Sequence, residues 1–196
     1  MSTYREVKGY SIKKVDSDPA NPKEGQIWYN NISKQIKVRI VVPAAWASGG
    51  NLNTGRAGLD GAGIQTAALA FGGNTPSLDE TEEYNGSSWS EQNNLNTGRF
   101  YGSGFGSQTA AVMAGGVIQT AGTRNLNNSE EYDGTSWTEG NNLNTGRDIL
   151  AGAGTLTAGL CFGGFEPGNS GKTEEYDGTS WSEQNDLNTV VRGSSR

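Results

Sequence analysis

The chain has no histidine and only one cysteine in 196 residues. Without histidine, the commonest general base and the commonest metal ligand are both missing. A single thiol forms neither an intrachain disulfide nor a cysteine-based zinc site. That cysteine, Cys161, lies beside Phe162 in an apolar run and reads as a small buried residue. Hydrophobic residues are sparse at 33%, and no apolar run approaches the ~18 residues of a membrane helix. The first residues do not read as a signal peptide. Gly pairs such as Gly115-Gly116 are not phosphate loops, because no Lys-Ser/Thr and no helix follows them. No catalytic residue, metal set or cofactor is therefore expected.

Glycine, by contrast, is abundant at 30 residues, alongside Asn, Ser and Thr. That mixture suits short strands and many turns. The net charge of −6 is unevenly spread: residues 1–46 hold eight Lys/Arg against four Asp/Glu, residues 47–196 seven against 17. The contrast predicts two domains, and the acidic part would repel phosphates, so nucleic acid is not an expected partner.

The acidic part repeats. EEYNGSSWSEQNNLNT (82–97), EEYDGTSWTEGNNLNT (130–145) and EEYDGTSWSEQNDLNT (174–189) are close copies, and WASGGNLNTGR from Trp46 is a partial fourth. Trp46, Trp89, Trp137 and Trp181 are spaced 43, 48 and 44 residues apart. Such periods signal a propeller, a solenoid or an array. Within a copy the frame is fixed. Tyr84, Tyr132 and Tyr176 precede their Trp by 5 residues, and Gly72-Gly73, Gly115-Gly116 and Gly163-Gly164 follow Trp by 26. Arg56, Arg99 and Arg147 follow Trp by 10, whereas Arg192 follows Trp181 by 11. Only the distance from Gly-Gly to Tyr varies, at 12, 17 and 13 residues, so length variation is confined to one exposed loop.

Each copy reads as four strands. In the first these are Arg56–Ala62, the apolar Thr66–Phe71, Thr81–Tyr84 and Ser88–Glu91. The second strand is apolar without alternation and is expected to be buried on both faces. Asn85-Gly86, Asp133-Gly134 and Asp177-Gly178 predict tight type I′ hairpins between the third and fourth. Residues 1–45 read as an N-terminal β hairpin unit: YREVKGYSIKKV as a strand, then QIWYN and QIKVRIVV joined by NISK. The three repeats run over about 46–97, 98–145 and 146–192 of a second domain, 46–196.

The order Arg, apolar strand, Gly-Gly, variable loop, Glu-x-Tyr-Asp, Trp resembles the Kelch motif of β-propellers. What the resemblance implies is an all-β chain of Kelch-like β-propeller blades, here three where propellers have roughly four to eight. Over Tyr4–Trp46, the pattern SDP…GQIWYN…IKV ahead of repeats of the form TEEYDGTSW…LNT…TAALAFGG is similar to virion structural and tail-fibre-like proteins of marine bacteriophages. That resemblance implies a non-enzymatic structural protein located in the virion and made in the host cytoplasm. It further implies an appendage contacting the host surface, with residues 1–45 meeting other virion proteins. A soluble carbohydrate-binding, lectin-like module is the alternative. A galactose-oxidase-type enzyme would need the missing His ligands.

The frame residues have two readings each. The arginines either bond carbonyls and carboxylates between blades or form a ring around an anionic ligand. The Trp and Tyr residues either pack between blades or stack sugars. The pairs Glu82-Glu83, Glu130-Glu131 and Glu174-Glu175 alternate faces and cannot share a site. They read as solvated edges or structural contacts, with a Ca²⁺ site using Asp133 or Asp177 as the weaker reading. Binding residues specific to this chain belong where the copies differ: Asn74 and Asp79, then Gln119, Arg124 and Asn127, then Glu166, Asn169 and Lys172. Three blades leave an unsatisfied sheet face at each end, which predicts a homo-oligomer, a trimer favoured over a dimer.

Overall fold

The computed structural model describes residues 12–40, 47–74, 78–119 and 124–192. Trp46 lies outside them, as does most of the first expected strand. The chain divides into two compact units, Met1–Ala47 and Ser48–Arg196.

The first unit holds a three-stranded sheet, so the sequence-based hairpin is incomplete as a description. Strands β2 (Ile27–Asn30) and β3 (Gln35–Val38) form the hairpin, and β1 (Lys13–Val15) joins β2 in parallel. Strand alternation separates the two faces. On one, Asp18 accepts hydrogen bonds from Trp28 Nε1 at 2.9 Å, Asn30 Nδ2 at 2.8 Å and Lys37 Nζ at 2.6 Å. These donors, Lys37 foremost, hold the Asp18 carboxyl down at about 2. Ile27, Ile36 and Val38 are exposed (50%, 65% and 49%), and Ile27 and Ile36 pair across the ladder with Val38 and Tyr29.

The second unit is three antiparallel four-stranded blades. Blade 1 is β4 (Asp60–Ile64), β5 (Ala67–Phe71), β6 (Thr81–Tyr84) and β7 (Trp89–Glu91). Blade 2 is β8 (Ser103–Ser107), β9 (Ala110–Ala114), β10 (Ser129–Tyr132) and β11 (Trp137–Glu139). Blade 3 is β12 (Ala151–Thr155), β13 (Ala158–Phe162), β16 (Thr173–Tyr176) and β17 (Trp181–Gln184). The small hairpin β14 (Phe165–Glu166) and β15 (Gly168–Asn169) fills its variable connection. The first strands lie side by side in the order β4, β8, β12, with β8 packed against both neighbours and no packing of comparable extent between β12 and β4 among the described residues, so the array is open.

Four expectations are corrected. The first strand begins at Asp60, not Arg56, which leaves Arg56 in the connecting segment. The turn between third and fourth strands is not type I′. Tyr84 pairs with Trp89, Asn85 N donates to Ser88 O at 3.2 Å, and only Gly86 takes positive φ, where type I′ needs it at both central residues. Asn85 Oδ1 instead accepts the N–H groups of Ser87 and Ser88, both at 3.0 Å. Asp133 and Asp177 repeat this at 2.8 Å, and the Ser136 and Ser180 N–H groups are the leading cause of their lowered pKa values. A five-residue Tyr-to-Trp step needs this Asx-capped loop. Burial of the second strand on both faces holds for β9, but β13 leaves Leu160 and Phe162 half-exposed. Nor is the whole variable connection an exposed loop. Leu126 is buried, and Asn128 O accepts from Gly115 N at 2.9 Å and Arg99 Nη1 at 3.0 Å.

The buried core follows the joints between blades. Phe71, Leu95, Met113, Tyr132 and Trp137 cluster between blades 1 and 2, and Phe105, Leu143, Leu150, Tyr176 and Trp181 between blades 2 and 3.

Candidate functional site

Antiparallel order puts the Gly-Gly turns, the variable loops and the Leu-Asn-Thr linkers at one end of the blades. Each of the two linkers that join blades bonds to both of them. On the first, Arg99 O accepts from Gly73 N at 3.0 Å and Asp79 O accepts from Leu95 N at 2.9 Å. The Gly72 position requires glycine, with φ of 69° and a hypothetical Cβ 2.5 Å from Arg99 O. On the second, Glu130 accepts the backbone N–H groups of Asn96 at 2.7 Å and Thr97 at 3.2 Å, and pairs with Arg99. The same set recurs as Arg147–Glu174 at 2.9 Å and Arg56–Glu82 at 3.3 Å, all six side chains fully buried. This is the structural alternative for the arginines, which are not a ring open to a ligand. The first Glu of each pair is buried rather than on a solvated edge.

The second Glu reaches the next blade. Glu83 accepts from Tyr132 OH at 3.1 Å, and Glu131 accepts from Tyr176 OH. Desolvation and the facing carboxylate push both phenols up. Trp137 meets Phe71 edge-on at 4.9 Å and donates from Nε1 to Thr81 Oγ1 at 2.9 Å. Trp181 meets Phe105 at 6.2 Å, but its buried Nε1 has no partner. Trp137 and Trp181 are thus packing residues. Trp89 is only half-buried, with Gly50 O accepting from its Nε1 at 3.1 Å, and no other blade packs on it among the described residues. Cys161 is buried, and burial pushes its thiol up to about 12.

The variable-loop residues do not converge as one group. Arg124 is exposed, pairs with Asp148 at 2.8 Å and lies 5.8 Å over the Phe165 ring. Asp148 is fully buried, with Oδ1 unpartnered, and burial raises its pKa against the pull of Arg124. Glu166 accepts from Ser170 Oγ at 3.0 Å and lies 3.5 Å from Lys172 Nζ, which donates to Thr145 Oγ1 at 2.9 Å. Asp79 and Asn127 offer backbone carbonyls to Leu95 and Leu143. Asn74 has a buried, unpartnered Oδ1, and Gln119 and Asn169 are exposed.

The sequence reading passed over Asp60 and Asp148. Both break the frame: Asp60 stands where later blades carry Ser103 and Ala151, and Asp148 where Ala57 and Phe100 stand. Asp60 lines a cavity of about 340 Å³ with Leu59, Gly61, Gly104, Leu150, Ala151 and Gly152, where the inner strands meet. Burial raises its carboxyl to about 6, against one hydrogen bond from the Gly104 backbone. The folded state therefore holds the proton that the unfolded chain releases near 3.8. Stability falls as pH rises from 3.8 to about 6 and stays lower above. Asp60→Asn is expected to raise the melting temperature at neutral pH and flatten the pH dependence in that window. An unchanged neutral-pH melt would show that Asp60 is well solvated.

Among known proteins, no family model matches this chain, and no curated protein does. Solved structures do match. One is the structure of YjhT, at a TM-score of 0.53 and 15% identity, with 81% of this chain aligned to 51% of that one. The chain therefore spans about half the length of that structure, and the likeness is one of fold.

Proposed function

We infer that the chain is a non-enzymatic structural protein of a phage virion, an appendage or tail-fibre component contacting the host surface. The observation that carries this reading is where the frame's charge goes: the three Arg–Glu pairs lie fully buried between a linker and the third strand of a blade. Repeated polar chemistry that is consumed internally builds a scaffold and leaves contact to the variable rim. The N-terminal unit supports attachment, because Ile27, Ile36 and Val38 give it an exposed apolar surface suited to another virion protein. Mass spectrometry of gradient-purified particles tests the reading. Peptides of this chain should band with infectious particles at a fixed copy number, and their absence would overturn it. Within such particles, Ile36→Asp should leave the melting temperature of the isolated chain unchanged and abolish incorporation; normal incorporation would remove the apolar surface from the account.

The second reading is a lectin-like, carbohydrate-binding module, favoured by Arg124 over the Phe165 ring beside a buried Asp148. An aromatic ring with polar neighbours is how sugars are held. A glycan array distinguishes the two: a signal lost in both Arg124→Ala and Phe165→Ala supports the lectin, and no signal supports a scaffold alone.

A further inference from the structure

The joint between blades 1 and 2 is built from six side chains. From blade 2 come Gln108, Tyr132 and Trp137. Gln108 Nε2 donates to Ala68 O at 3.1 Å and Tyr84 O at 2.8 Å, Tyr132 OH donates to Glu83, and Trp137 Nε1 donates to Thr81. From blade 1 come Phe71, Thr81 and Glu83, with the Phe71 ring filling the space over Gly104, where a Cβ would lie 2.7 Å away.

The two ends of the array carry both halves of this joint a second time, with no blade between them. At the positions equivalent to Gln108, Tyr132 and Trp137, blade 1 has Gln65, Tyr84 and Trp89. At those equivalent to Phe71, Thr81 and Glu83, blade 3 has Phe162, Thr173 and Glu175. All six match in residue type, which is not true of the internal joint between blades 2 and 3. There Leu156 replaces the Gln, Ala114 the Phe and Ser129 the Thr, and Trp181 Nε1 is left unpartnered. At Gly61, the position of Gly104, a Cβ would meet Leu69 O at 2.9 Å, and no aromatic ring lies over it. The acceptors on blade 3 are vacant: Thr173 Oγ1 is buried without a partner, and Glu175 is exposed. Gly159 and Tyr176, which stand for the carbonyls that Gln108 bonds, line a surface cavity of about 400 Å³ with Leu160 and Glu175.

We propose that blade 3 of one copy of this chain docks on blade 1 of a second copy through these six side chains. The contact is heterologous, so closure sets the copy number. Two copies give six blades, inside the range of roughly four to eight for closed propellers, and three would give nine. This goes beyond the functional reading and does not depend on it. It also assigns a role to the Ser48–Thr54 segment. That segment now lies on the blade 1 face, with Asn53 N at 2.7 Å and Thr54 N at 3.3 Å from the Glu82 carboxylate. An incoming copy carries the same triplet at Leu187–Thr189, so forming the joint exchanges one Leu-Asn-Thr for the other at Glu82.

The test is the mass of the full chain by light scattering at concentrations up to about 100 µM, for wild type, Glu175→Arg and Gln65→Glu. Both substituted residues are exposed, so the folded monomer should tolerate them, and circular dichroism checks that it does. The expected result is twice the chain mass of 20.7 kDa for wild type and the single mass for each variant. A wild-type monomer throughout would overturn the proposal. So would a dimer that both variants retain, since it would use another surface, such as the Ile27–Val38 face. Three times the chain mass would overturn the two-copy ring.

Discussion

Replacing Trp137 by alanine is expected to lower the stability of the Ser48–Arg196 unit by about 3–5 kcal/mol. The indole is 4% exposed, fills the space against Phe71 and Tyr132, and supplies the hydrogen-bond donor to the buried Thr81 hydroxyl. The truncation leaves a cavity and an unsatisfied buried hydroxyl together. Domains are stable by only about 5–15 kcal/mol, so the variant should lose much of its folded population under mild denaturant. Trp181→Ala should cost less. Its ring lies farther from its aromatic partner, and its Nε1 makes no bond that could be lost. Urea titrations of both variants check the order, and an equal or larger loss at Trp181 would show that the Thr81 bond contributes nothing.

Breaking one linker ion pair is expected to have an effect of similar size. Glu174→Gln keeps the shape of the side chain but leaves Arg147 charged, fully buried and without its carboxylate. Such an uncompensated charge typically costs about 3–5 kcal/mol. Arg147→Met leaves the carboxylate with the Asn144 and Thr145 N–H groups at 2.7 and 3.3 Å, so it should cost somewhat less. In the double variant the two losses should not add, because no lone charge is left behind. Denaturant midpoints for the three variants give the cycle. Strict additivity would mean that the two groups act independently and that the linker is held by its backbone bonds alone.

Much of the blade was legible in the chain because its constraints are local. The Gly-Gly turn needs positive φ and room for a neighbouring carbonyl, and only glycine provides both at Gly72 and Gly73. Four strands per copy follow from short apolar runs punctuated by Asn-Gly and Asp-Gly, and β6 falls on the expected residues, Thr81–Tyr84. The turn type was misread because type I′ needs positive φ at both central residues, whereas Asn85 spends its side chain on the Ser87 and Ser88 N–H groups and only Gly86 takes positive φ. Fixed spacing showed that Arg, Tyr and Trp have roles in every copy. It did not show which partner each takes, because every partner stands in another segment: Glu130 lies 31 residues from Arg99, and Thr81 lies 56 from Trp137.

The sequence by itself determined the blade, its strand count and the one connection that varies, since turn chemistry and hydrophobic runs act over a few residues. The tertiary structure alone decided that the arginines are consumed in buried pairs rather than offered to a ligand. It also decided that Asp60 lines a cavity between the inner strands and which side chains build the joint between blades. Each of these depends on which groups are brought together across 25 residues or more and on how much water remains between them. Neither the spacing nor the composition of one segment carries that information.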